Sequence, residues 1–376
     1  MTGMRLQRAH FVLFLLTASA SAAENLALRK LSSPFQTDGA QVVAADQKGN
    51  VLLFVDPGRV FAVGLAGPEK ELDTPFIEDM IGGGPFRAAL SPSGDRWLMS
   101  SKSGLLVVDG DEFAEFPTPG PIFSIAFWDD RPILNTLWPP RFADILTEEL
   151  DDGEAPLAYV LDEDDKNWEP CWLQELGDEE SVDPRNVALI STSALMAPDE
   201  RSRLWVANQY QYRVRRFSSS GRQLLDLRIP DLRLPEHSEE AEARFQKMLD
   251  EQGVDRSRVR SMFAAPGVPI IRALAARDGT AYLLWRQEDA PADKVYLDRI
   301  SSLGEVERAV LHVEDAKKIV SMAVGEDFLF FAPREAANGM YSVSFRTLEA
   351  VEWTPVEGIE GGMQPAAADD DAESNS

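Results

Sequence analysis

The chain has 376 residues, and its 63 acidic against 37 basic side chains give a formal net charge of -26. Such a surface repels nucleic acid and anionic lipid, so neither is an expected partner. Cys171 is the single cysteine, which excludes an internal disulfide and leaves stability to a large core, as a chain this long can bury.

At the N-terminus, Arg5 and Arg8 precede the apolar run 11–16 and the small-residue stretch 18–23. That order is the pattern of a secretory signal peptide over 1–22, with an A-x-A-like cleavage site at Ala20-Ser21-Ala22. The run is far shorter than the roughly 20 residues needed to cross a bilayer, and no later stretch is longer. A secreted or periplasmic protein is therefore expected, with no membrane insertion after cleavage.

From there a four-stranded grammar recurs. The first copy runs 42–45, turn 46–50, 51–56 and 59–63; the second 87–90, turn 91–95, 97–100 and 105–108. The third has 122–127, turn 128–131 and 132–135, with 157–161 as a further strand. The fourth is best marked: Ala194-Leu195-Met196-Ala197, turn 198–202, Arg203-Leu204-Trp205-Val206-Ala207-Asn208, then 212–217, turn 218–221 and 223–227. A fifth copy spans 271–275, 281–285 and 294–300, and a sixth 319–324, 328–332 and 340–345. Short apolar runs rich in β-branched and aromatic residues between polar turns read as strands. A lone sheet of this kind leaves an apolar face open, whereas radial packing buries each sheet on its neighbours. The expected fold is all-β, a six-bladed β-propeller of four-stranded sheets over 23–360.

Two insertions interrupt the rhythm. Segment 139–183 is acidic and enlarges the third blade. Segment 235–266 places Ala241, Phe245 and Met248-Leu249 at helical spacing and predicts a short amphipathic helix and a loop. Residues 361–376, ending in Asp369 to Glu373, are expected to be a disordered acidic tail.

Leu204-Trp205-Val206-Ala207-Asn208, followed by Tyr212-Arg213-Val214-Arg215-Arg216-Phe217 and Ser220-Gly221-Arg222, resembles the repeat of NHL-type six-bladed propellers, a superfamily that includes gluconolactonase-like proteins. The resemblance is close over one blade and implies the fold more firmly than an activity. It also implies a pocket at the channel end where the loops between second and third strands meet. Aligned blades put Asp56, Asn135, Trp138, Asn208, Tyr210, Arg286 and Arg334 there. Arginine can clamp a carboxylate or sulfate, and Trp or Tyr can stack on a sugar or peptide group. The expected ligand is a small anionic or carbohydrate-like molecule, or a protein.

Asn208 stands where that superfamily usually carries an acid, and no Asn-Gly pair precedes a blade turn. No catalytic set is expected. Cys171 lies between Trp168 and Trp172 as a structural thiol, and His237 and His312 lack metal-ligand spacing. Acidic clusters supply the oxygens calcium prefers, but 162–165 lacks the EF-hand glycine and glutamate, so no cofactor is predicted beyond loosely held calcium. A noncatalytic binding module leads. A divalent-metal-dependent hydrolase or lactonase using Asp56 and Asn208 is the alternative, and a purely structural or assembly role the third reading.

Overall fold

The computed structural model describes residues 24–29, 41–45, 50–55, 59–64, 70–72, 87–91, 96–101, 104–110, 112–120, 122–136, 155–174, 194–208, 212–228, 269–287, 290–313, 319–333 and 340–363. The first strand, β1 (Glu24–Arg29), belongs to the last blade. Blade 1 follows as β2 (Gln41–Ala45), β3 (Asn50–Val55), β4 (Arg59–Gly64) and β5 (Lys70–Leu72). Blade 2 is β6 (Ala88–Leu90), β7 (Arg96–Ser100), β8 (Gly104–Asp109) and β9 (Glu112–Pro117). Blade 3 is β10 (Ile122–Trp128), β11 (Arg131–Thr136), β12 (Ala155–Asp162) and β13 (Asn167–Gln174).

Blade 4 comprises β14 (Ala194–Pro198), β15 (Leu204–Asn208), β16 (Arg213–Phe217) and β17 (Gln223–Arg228). Blade 5 comprises β18 (Pro269–Arg277), β19 (Thr280–Gln287), β20 (Lys294–Ile300) and β21 (Val306–His312). Blade 6 takes β22 (Ile319–Val324), β23 (Phe328–Pro333) and β24 (Met340–Thr347), and its outermost strand is β1. Glu24 pairs with Phe345 and Arg29 with Met340, so the two ends of the chain close one sheet. Two short strands remain, β25 (Thr354–Pro355) and β26 (Glu360–Met363), each on a blade's outer edge.

Innermost strands touch in chain order from β2 through β6, β10, β14 and β18 to β22, and β22 touches β2 again. The sheets therefore form a closed ring. The reason lies in strands that are apolar on both faces. In β15, Trp205 and Ala207 pack toward blade 5 while Leu204 and Val206 pack toward blade 3. In β19, Leu283 and Trp285 face blade 4 and Leu284 faces blade 6. Side chains alternate across a strand, so a run buried on both faces must be continuously apolar. Burial of each such side chain contributes about 1.5–3 kcal/mol.

The turns between first and second strands are tight. Asp129 and Asp130 (φ 48° and 61°), like Asp278 and Gly279 (φ 50° and 73°), take the left-handed backbone of a type I′ hairpin. Longer turns reuse one device. The Asp199 amide reaches Arg203 O at 2.9 Å while the Arg203 amide donates to Asp199 Oδ1 at 3.1 Å, and Ser218 with Arg222 and Ser301 with Glu305 repeat it. Short polar side chains substitute for a backbone partner in such turns.

Two expectations need comment. Residues 361–363 were assigned to a disordered tail but form β26 with Glu360, because β17 presents an open edge for them to pair with. The helix expected within 235–266 lies outside the described residues; among the described residues the only helical element is the 3-10 turn Leu348–Ala350.

Candidate functional site

Antiparallel strands carry each second strand's C-terminus and each first strand's N-terminus to the same end of the ring. Asn135 pairs with Ser124, Asn208 with Ala194 and Arg286 with Ile270, so these three site residues occupy corresponding places in blades 3, 4 and 5. All three are buried. Asp56, Trp138, Tyr210 and Arg334 lie outside the described residues.

Several contacts at this end hold backbone. The Ala194 amide donates to Asn135 Oδ1 at 3.3 Å, and the Met196 amide to Ser124 Oγ at 3.2 Å, so blade 3 side chains fasten the innermost strand of blade 4. Ala194 is also the partner of Asn208, which brings the two asparagines to one joint. Arg87 Nε donates to Phe123 O at 2.6 Å and ties blade 2 to blade 3. Arg286 Nη2 donates to the carbonyls of Ala290 and Pro291 and braces its own loop.

Several residues here were not anticipated. Ser124 and Thr136 are buried beside Asn135. Register shifts put one extra residue on the first strand of four blades, at Val43, Phe123, Arg272 and Val320. Bulges bend a strand and re-aim side chains, and they gather at ring rims and beside sites. The legible signal for Ser124 and Arg272 was a polar residue inside an otherwise apolar first strand.

The strongest electrostatics lie between blades instead. Asp298 is fully buried and accepts from Arg308 Nε and Nη2, both at 2.8 Å, and from the Tyr212 hydroxyl of blade 4. Arg308 also stacks over Trp285 at 4.6 Å. Burial, then the Asp298 charge, push the Tyr212 hydroxyl well above its ordinary pKa, so it remains a donor. Burial and neighbouring Arg213 bring Arg215 down to about 10, still a cation at neutral pH. Arg213 grips Asp226 through Nε at 3.0 Å and Nη2 at 2.7 Å. These groups lock blade to blade or strand to strand.

No group of three His, Cys, Asp or Glu able to hold a metal occurs among the described residues. His312 is exposed and its Nδ1 lies 2.9 Å from Asp293 Oδ2. Cys171 sits on β13 opposite Ala158. No helix among the described residues is long and apolar enough to cross a membrane.

The molecule is thus a β-propeller with a polar, cross-braced end. No family model matches the sequence, and no curated protein does. Solved structures similar to it include a streptogramin B lyase (11% identity, 88% of this chain and 100% of that one, TM-score 0.45). A Bacteroides vulgatus member of the DUF4221 family is similar at 10% identity over 87% of this chain and 98% of that one, TM-score 0.47. A calcium-binding regucalcin from Agrobacterium tumefaciens is similar at 12% identity over 85% and 93%, TM-score 0.37.

Proposed function

We propose that the protein is an exported, noncatalytic binding module of NHL-like type that holds a small anionic or carbohydrate-like ligand, or a protein, at the braced end of its ring. One observation carries the reading. The connections 137–154, 175–193 and 229–268 all leave and re-enter the sheets at the end occupied by Asn135, Asn208 and Arg286. Long connections on a rigid scaffold are where recognition is built. Side chains already spent on bracing backbone make a stiff frame, which lowers the ordering cost of binding. Trp138, Tyr210 and Arg334 would supply the stacking and the anion clamp. Export is supported by the sequence pattern over 1–22, with β1 beginning at Glu24, just beyond the small-residue stretch.

The test is thermal melting of the mature chain against sulfated and carboxylated oligosaccharides, with metal analysis of the same sample. A ligand at 100 times its Kd stabilises by about 2.7 kcal/mol, and Arg334→Ala should abolish that shift. Stoichiometric calcium together with lactone hydrolysis lost in Asp56→Ala would replace this reading with the metal-dependent hydrolase.

A further inference from the structure

The chain does not leave the molecule after β24. It makes the 3-10 turn at Leu348–Ala350, with the Leu348 amide on Asp327 O at 2.8 Å, and then runs backwards around the outside of the ring. Val351 is buried in the core between blades 5 and 6. Trp353 packs on that core beside Tyr282, and Arg299 stacks on it at 4.6 Å. β25 then pairs with β21 on the outer edge of blade 5, and the Val356 amide reaches Val306 O at 2.9 Å. Val356 and Ile359 pack on the core between blades 4 and 5. Finally β26 adds a fifth strand to blade 4, with Leu225 opposite Met363, Asp226 opposite Gly362, Leu227 opposite Gly361 and Arg228 opposite Glu360.

The last contact is tailored. Gly361 has φ 95°, and a Cβ there would lie 2.1 Å from Asp226 O, so a side chain at 361 is incompatible with this approach. Among the described residues, blades 1, 2 and 3 end on β5, β9 and β13 without a fifth strand. An open strand edge is a template for pairing with another chain, and proteins cover such edges.

We propose that 351–363 is a strap that ties three consecutive blades together from outside, and that the outer edge of β17 is a strand-acceptor site which the strap occupies in cis. The occupant is this chain's own segment. The closure of β1 on β24 joins the two ends of the fold within one sheet. The strap instead fastens blade 6 to blade 5 and blade 5 to blade 4 across their rims.

The experiment uses the mature chain ending at Ala350 and a synthetic peptide of residues 351–363. Without the strap, amides of 223–228 should exchange at least about tenfold faster than in the full chain. The peptide added in trans should restore both protection and melting temperature, and a peptide carrying Gly361→Val should not. Dimers of the shortened chain that the peptide dissolves would also support an acceptor edge. Unchanged protection without the strap, or equal rescue by the Gly361→Val peptide, overturns the proposal. Should the shortened chain fail to fold, the full chain with Gly361→Val gives the answer. Exchange must rise at 223–228 while 204–208 stays protected, and unchanged exchange at 223–228 defeats the idea.

Discussion

At one end of the ring, hairpins turn within 129–130 and 278–279, and longer turns are tied by a Ser or Asp side chain to the backbone four or five residues on. At the other end, the connections include 137–154, 175–193 and 229–268, and the polar side chains reach across blades to hold innermost strands. The same strands feed both ends. The first end is determined by local chemistry, residue by residue, whereas the second is determined by neighbours distant in sequence. Turn geometry serves the fold at the first, and at the second cross-blade hydrogen bonds hold the strand ends from which the long connections depart.

Stability depends most on a position belonging to neither end. Asp298→Ala takes their shared acceptor from the half-buried Arg308 and the buried Tyr212 hydroxyl, and should cost about 2–3 kcal/mol in denaturant unfolding, since a buried donor is left unpaired. Next comes the turn end. A Cβ at Gly279 meets nothing closer than Ser302 Cβ at 3.9 Å, so Gly279→Val reports backbone strain alone, about 1–2 kcal/mol in the same measurement. Acid gives a smaller effect. Burial alone would raise the Asp226 carboxyl, but the hydrogen bond and charge of Arg213, with Arg215 and Arg228, hold it below 3.8. Its contribution is complete above the unfolded carboxyl range and is lost as pH falls through the depressed folded value. The loss should amount to no more than about 1 kcal/mol, and Asp226→Asn should flatten that part of the stability profile. The smallest stability change is expected at the loop end. Replacing 235–266 with a short Gly-Ser linker should shift stability by less than about 1 kcal/mol. It should nonetheless remove a protein partner docked there, as read by co-purification. A large destabilisation would show that the loop end is also structural.

What the sequence made legible follows the same division. Blade 4 stood out because Pro198 to Ser202 and Ser218 to Gly221 are turn chemistry, and Trp205, Val206 and Val214 are strand residues. Helping further, β15 is buried on both faces, so its apolar run is unbroken. Arg213 and Arg215 blurred the alternation of β16 because Asp226, opposite Arg215 on β17, offsets their charge. No local pattern announces that. The site was harder. Asn135, Asn208 and Arg286 fell into register because strand ends can be counted, but the backbone-bracing roles of Asn135 and Arg286 depend on Ala194, Ala290 and Pro291. The bulges at Val43 and Val320 are equally hidden, since an extra apolar residue within an apolar strand changes register without changing composition. β26 was misread as tail because Gly361 and Gly362 look like linker, and only the approach to Asp226 O explains them.

The pairing of β1 with β24 also sets a timetable. Residues 24–29 find their partner only in residues 340–345, some three hundred positions further along the chain. Contacts this far apart in sequence slow folding and expose intermediates. The sheet of blade 6 is therefore completed by the contact with the widest separation along the fold, and any truncation before residue 340 leaves it without a partner for β1.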